Sequence, residues 1–215
     1  MVPYFDQARE ICETGRLLHE RGFIAATEGN LSMRVGPDRV LCTPAMAEKG
    51  CLKPYDLCLV ELQGRQIGGT RARTSELPMH LELYRRNPQT AAVVHCHPPY
   101  ATAMAVSSIP LQTGLLAETE HFLQDIPVVP YAEPGSTALG ELVGSHACRS
   151  RCAILRNHGA LSWAETLTRA RWWMEMLEGY CRTLILARAL GPYSTLSSTE
   201  VAAARAAGRR PAGPP

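Results

Sequence analysis

The residues best placed to do chemistry are His95 and His97, which flank Cys96 directly after the apolar run Ala91-Ala92-Val93-Val94. Side chains two apart on a strand project to the same side, so both imidazoles can converge on one ion. A second strand-like run, Cys152 to Leu155, is followed by Asn157-His158-Gly159. A histidine at the end of a neighbouring strand can supply a third nitrogen. Three neutral imidazoles leave zinc with an open coordination position and its full positive charge, which suits a Lewis acid. Taken singly, each histidine also reads as an ordinary polar core or turn residue. Glu76, in Thr74-Ser75-Glu76, stands at the start of an expected helix. A carboxylate there commonly serves the helix dipole. Facing a metal, it can ligate the ion and then swing away to take a proton from substrate. The hydroxyls of Thr74 and Ser75 and the free N–H groups of that helix start suit an anion, and Gly29-Asn30 offers a second amide donor close to the backbone.

The elements that must position these groups follow from hydrophobic spacing. Tyr4 to Arg21 has helical periodicity and stops at Gly22. Strands are expected through Met33 and Val35 and over Arg39 to Thr43, joined at Gly36-Pro37-Asp38, with a third over Leu57 to Leu62. A helix over Ser75 to Arg86 has Ser75 as its N-cap. Ala91 to His95, Ile126 to Tyr131 and Cys152 to Leu155 read as strands. Helices are expected from Pro98-Pro99 through Ala105, from Ser136 through His146, and over Ala164 to Leu190. The fold class is α/β, with a single domain over residues 1–191 built on a mixed, mainly antiparallel central sheet flanked by helices. Residues 192–215 are expected to form a mobile tail.

Composition narrows the function. The 215 residues are 46% hydrophobic and 20% charged, an ordinary globular mixture. A net charge of +2 with scattered Lys and Arg argues against nucleic acid as a partner. The apolar runs are too short to span a bilayer, and the start, Met-Val-Pro-Tyr-Phe-Asp-Gln, has no secretory pattern, so the expected location is the cytoplasm. The eight cysteines form no C-x-x-C pair and read as small buried thiols, with Cys96 alone expected near chemistry.

Together, Gly29-Asn30-x-Ser32, Thr43-Pro44, Lys49-Gly50, Ser75-Glu76, His95-x-His97 and Asn157-His158-Gly159 resemble, in order, the class II aldolase/adducin family. The likeness covers about Tyr4 to Leu190 and is nearest the enzymatic branch containing L-fuculose-1-phosphate aldolase. It implies a three-layer fold and Zn²⁺, with Mn²⁺ or Co²⁺ as alternatives, on His95, His97, His158 and Glu76. It implies cleavage of a ketose 1-phosphate to dihydroxyacetone phosphate and an aldehyde through a metal-stabilised enediolate, with Glu76 shuttling the proton. It further implies phosphate binding by Gly29, Asn30, Thr43, Lys49, Thr74 and Ser75, and a homotetramer acting on a small phosphorylated sugar.

Two departures stand out. Thr43-Pro44-Ala45-Met46 replaces a family Thr-Pro-Ser/Thr-Gly run, removing a hydroxyl and a glycine from the phosphate loop. No tyrosine occurs in Leu111 to Glu118, where the fucose branch has one, which leaves Glu118, with Glu120 and His121 nearby, as the acid candidate. A dehydratase, decarboxylase or 4-epimerase on a related sugar or sugar-acid phosphate therefore stays open, as does, more remotely, a non-catalytic adducin-like binding module.

Overall fold

The computed structural model describes residues 4–208. Its centre is one eight-stranded sheet in the order β4-β3-β2-β1-β5-β8-β7-β6. The strands are β1 (Asn30–Arg34), β2 (Arg39–Cys42), β3 (Cys58–Glu61), β4 (Gln66–Gly68), β5 (Ala92–Cys96), β6 (Val128–Val129), β7 (Cys152–Leu155) and β8 (Gly159–Ala164). Every pairing is antiparallel except β6 with β7. The helices are α1 (Phe5–Glu20), α2 (Leu77–Arg86), α3 (Pro99–Val106), α4 (Thr137–Gly144), α5 (Leu167–Leu190) and α6 (Ser198–Gly208).

Strand alternation divides the interior into two cores. Ala92, Val94 and Cys96 of β5, with Cys152 and Ile154 of β7, meet Ile11, Ala101 and Leu177 from α1, α3 and α5. Val93, Ala153, Leu155, Leu161 and Trp163 meet Leu77, Leu81, Leu139 and Val143 from α2 and α4 on the other face. Because β5 alternates strictly, His95 falls on the α2 face and Cys96 on the α5 face. Cys96 thus turns away from its neighbouring histidines. Burial, with Glu178 nearby, pushes its thiol well above the ordinary range, so it is a core residue rather than part of the chemistry.

Several expectations need correction. The helix expected from Ser75 begins at Leu77, with Glu76 itself at the N-cap position. Thr74 Oγ1 accepts the Glu76 N–H at 3.3 Å, and Ser75 is exposed with no capping bond. The expected strand Ile126 to Tyr131 pairs only over Val128–Val129. β8 and the edge strand β4 are absent from the sequence reading. β8 is buried at all six positions, and its small and mixed residues, Gly-Ala-Leu-Ser-Trp-Ala, hide the alternation that marks a half-buried strand. It also displaces the expected start of the last helix from Ala164 to Leu167.

The expected tail contains α6, and residues 209–215 lie outside the described residues. α6 packs on a single π-turn at Thr119–Leu123. Arg205 Nε donates to Glu120 Oε2 at 2.7 Å, and its other nitrogen reaches Asp125 at 2.9 Å. Glu120 is only 2% exposed and also accepts the Gly114 N–H at 2.6 Å. Arg205→Ala strands this carboxylate without its charge partner. The expected result is a loss of about 2 kcal/mol and a sharp rise in amide exchange confined to α6 and the 119–123 turn, read by hydrogen–deuterium exchange. Unchanged protection there would show that α6 is held by other contacts.

Candidate metal centre

The two strands that carry the histidines are positioned by backbone geometry. Asn30 of β1 stands opposite His95 of β5, and Cys96 stands opposite Ala160 of β8. The short turn Arg156-Asn157-His158, with Asn157 at φ 55°, closes β7 onto β8 and swings His158 back over the end of β5. Two glycines make the close approach possible. A Cβ on Gly159 would lie 2.4 Å from His97 Cδ2, and one on Gly29 would lie 2.7 Å from the His95 carbonyl oxygen. Gly29 also has φ +66°, a conformation glycine adopts without penalty.

The result is a triangle of imidazoles. His95, His97 and His158 have ring centroids 5.1, 4.7 and 5.3 Å apart, and one nitrogen from each lies within 4.8 Å of the others. His95 Nδ1 is bonded to the Ala160 carbonyl at 2.9 Å. That carbonyl takes the ring proton on Nδ1 and leaves Nε2 with a lone pair. His97 Nδ1 faces Glu28 Oε2 at 3.2 Å in the same sense. The nitrogens left over, Nε2 of His95 and of His97, are buried and have no hydrogen-bond partner among the described residues. Buried donors and acceptors are normally satisfied. Orphaned imidazole nitrogens converging on one point are what a divalent cation requires, so the residues present fit one.

Glu76 overlooks this triangle. Its Oε2 is 3.2 Å from His95 Nε2 and its Oε1 is 3.1 Å from His158 Nε2. Asn30 Nδ2 donates to Oε2 at 2.7 Å. Burial alone would raise the carboxyl, but its electrostatic and hydrogen-bonding contacts with His95 and His158 outweigh it and hold Glu76 well below the usual range. It is therefore a carboxylate. Burial, reinforced by the neighbouring His95, pushes His97 down to about 4 against the opposing pull of Glu28, so its ring is neutral and free to donate a lone pair at pH 7.

Of the residues expected to bind phosphate, several are already engaged by other groups. Thr43 is fully buried, and its hydroxyl accepts the Leu31 N–H at 3.2 Å. Lys49 is 2% exposed and its ammonium donates to the Thr27 carbonyl. Burial pushes Lys49 down to about 8, with Glu76 and Glu28 resisting and Arg71 reinforcing. Thr74 and Ser75 border Glu76, and Gly29 and Asn30 lie directly behind His95. Met46, in the altered loop, is 79% exposed at φ 49°.

Glu118 is not brought to the cluster by its own chain. It is exposed at the entrance to the 119–123 turn. Arg151, at the opposite end of β7 from His158, donates to the Phe122 carbonyl of that turn. Glu120, the alternative acid, is occupied by Arg205 and Gly114, and His121 packs edge-on against Phe122. The sequence reading missed Glu28, whose only signal is its place beside Gly29-Asn30. Glu28→Ala should weaken Zn²⁺ binding about tenfold or more, since outer carboxylates that orient a ligand histidine have effects of that size. Competition against a metal indicator checks this, and unaltered affinity would make the contact incidental.

Residues 9–185 match the family model described as "Class II Aldolase and Adducin N-terminal domain". The chain is 37% identical over 170 residues to an L-fuculose phosphate aldolase of Methanococcus vannielii, covering 79% of this chain and 91% of that one. It is 30% identical over 159 residues to a 3-oxo-tetronate 4-phosphate decarboxylase of Haemophilus influenzae, covering 72% and 75%. The solved structure of an L-fuculose 1-phosphate aldolase superimposes with a TM-score of 0.86 at 27% identity, covering 94% and 95%. That of the Thermus thermophilus L-fuculose-1-phosphate aldolase gives 0.77 at 29%, covering 86% and 97%. The match over most of its length, together with the histidine triangle, shows that the chain belongs to the class II aldolase and adducin N-terminal domain family.

Proposed function

We propose that the chain is a divalent-metal-dependent lyase that breaks a carbon–carbon bond in a phosphorylated sugar, in the first place a ketose 1-phosphate, yielding dihydroxyacetone phosphate and an aldehyde. The observation that carries this reading is a partly buried carboxylate, Glu76, within 3.2 Å of two of three imidazoles whose nitrogens converge. A cation held there, zinc with manganese or cobalt as alternatives, would polarise the substrate carbonyl and neutralise the charge left as the bond breaks. Glu76 takes or returns the proton at the carbon that loses its partner. Asn30 holds the carboxylate in place, and Thr74 and Ser75, with Gly29, receive the phosphate end. Assembly into a homotetramer belongs to the proposal. In it the exposed Glu118 serves a neighbouring subunit's cluster, and light scattering checks the mass.

A second reading has its own support. Glu76 is the one carboxylate in contact with two of the imidazoles among the described residues. Aldol cleavage also needs a group to manage the hydroxyl proton of the departing aldehyde. Loss of CO₂ from a 3-oxo sugar-acid phosphate leaves only one proton to deliver, and the likeness to a 3-oxo-tetronate 4-phosphate decarboxylase points the same way. The test is to incubate the Zn²⁺-loaded protein with ketose 1-phosphates and 3-oxo sugar-acid 4-phosphates and identify products by NMR. Aldehyde plus dihydroxyacetone phosphate supports the first reading. CO₂ without aldehyde replaces it with the second, and no bond cleavage by fully loaded protein overturns both.

A further inference from the structure

The face of β1 toward α2 carries Asn30, Ser32 and Arg34, and α2 with its N-cap presents Glu76, His80 and Tyr84. Two residues along a strand advance about 6.7 Å and four along a helix about 6 Å, so the two series stay in step. Three polar rungs result. Asn30 Nδ2 donates to Glu76 Oε2 at 2.7 Å. Ser32 Oγ lies 2.7 Å from both His80 Nδ1 and the Tyr84 hydroxyl. Arg34 donates to the Tyr84 carbonyl at 2.5 Å and covers the Tyr84 ring at 5.3 Å. The middle rung is enclosed: Ser32 and His80 are 0% exposed and Tyr84 is 1% exposed, within an otherwise apolar core of Leu77, Leu83 and Val93. Polar groups in such a place are costly unless every proton has an acceptor.

Counting protons fixes the direction of the chain. Burial, and then the nearby His95, push His80 down to about 3, so the ring is neutral and has one proton. If Tyr84 donates to Ser32 and Ser32 donates to His80 Nδ1, the ring proton sits on Nε2. The reverse order leaves the Tyr84 hydroxyl proton without an acceptor. His80 Nε2 and Asn30 Oδ1 are buried and lack partners among the described residues, as do Arg34 Nε and Glu76 Oε1 on the outer rungs. In this tautomer His80 Nε2 is a donor and Asn30 Oδ1 an acceptor.

We propose that His80 is a positioning residue: its Nε2–H is linked through one enclosed water to Asn30 Oδ1, fixing the Asn30 amide with its nitrogen toward Glu76. A flipped amide would set an oxygen against the carboxylate and release it from the imidazoles. The inference rests on the reading of Glu76 as the group that moves the proton, but its first test does not depend on turnover.

Long-range ¹H–¹⁵N spectra of the Zn²⁺-loaded wild type should show His80 as the Nε2–H tautomer with a slowly exchanging ring proton. An Nδ1–H tautomer overturns the proposal, whatever the protein catalyses. His80→Phe should lower kcat and Zn²⁺ affinity ten- to a hundredfold with KM within about twofold. His80→Gln has an oxygen for the Ser32 proton and an amide to donate toward Asn30, and should recover most of both. A folded His80→Phe protein with unchanged kcat and metal affinity, or a Gln variant as impaired as the Phe variant, would overturn the positioning role. If the wild type cleaves no sugar phosphate, the functional reading fails while the tautomer and Zn²⁺ affinity still decide the role of His80.

Discussion

Glu76→Gln is expected to keep the metal ion and to lose turnover by about a thousandfold, within the range typical of removing a positioned acid–base group. Glutamine has the shape of glutamate, so packing against Asn30, His95 and His158 is preserved. What it lacks is the negative charge and the capacity to accept a proton. The three imidazoles supply enough nitrogen donors to retain the ion without it. The check is kcat measured beside metal content by mass spectrometry. A variant that keeps its ion and its rate would remove Glu76 from the chemistry, and one that loses both would make it chiefly a ligand.

Removing the ion should have an equally large effect. Chelation is expected to abolish activity and to lower the thermal midpoint by about 10 °C, and Zn²⁺ should restore both. The magnitude follows from linkage. A ligand at a hundred to a thousand times its Kd stabilises the folded state by about 3–4 kcal/mol, and a domain of this size shifts by about 2–4 °C per kcal/mol. Without the ion, the buried Nε2 atoms of His95 and His97 have no hydrogen-bond partner among the described residues, with the carboxylate of Glu76 beside His95 and that of Glu28 beside His97. Apo-protein with an unchanged midpoint and full activity would mean that the histidine triangle is a polar core cluster.

How far the sequence reveals this arrangement depends on whether the signal is local. The His95-x-His97 pair is readable because strand alternation alone puts both rings on one face, and the same rule sends Cys96 into the other core. His158 is readable as the end of β7, but the hairpin that returns it over β5 is not, because β8 is too uniformly buried to alternate. Glu76 is readable by type and place, although it sits one residue before the helix rather than within it. Glu28, and the engagement of Thr43 and Lys49 by the Leu31 N–H and the Thr27 carbonyl, depend on loop contacts that no periodicity encodes. α6 escapes for a related reason: its alanine-rich face is held by Arg205 to a buried carboxylate 85 residues earlier, a link invisible along the chain.

The central claim is that imidazoles from two separate chain segments, the end of β5 and the β7–β8 turn, bind one cation. X-ray absorption on the Zn²⁺-loaded protein tests it most directly, with His158→Ala measured alongside. The expected result is one ion per chain with three nitrogen ligands at about 2.0–2.1 Å, and one nitrogen fewer in the variant. Sulfur in the coordination sphere, or a spectrum that His158→Ala leaves unchanged, would contradict it.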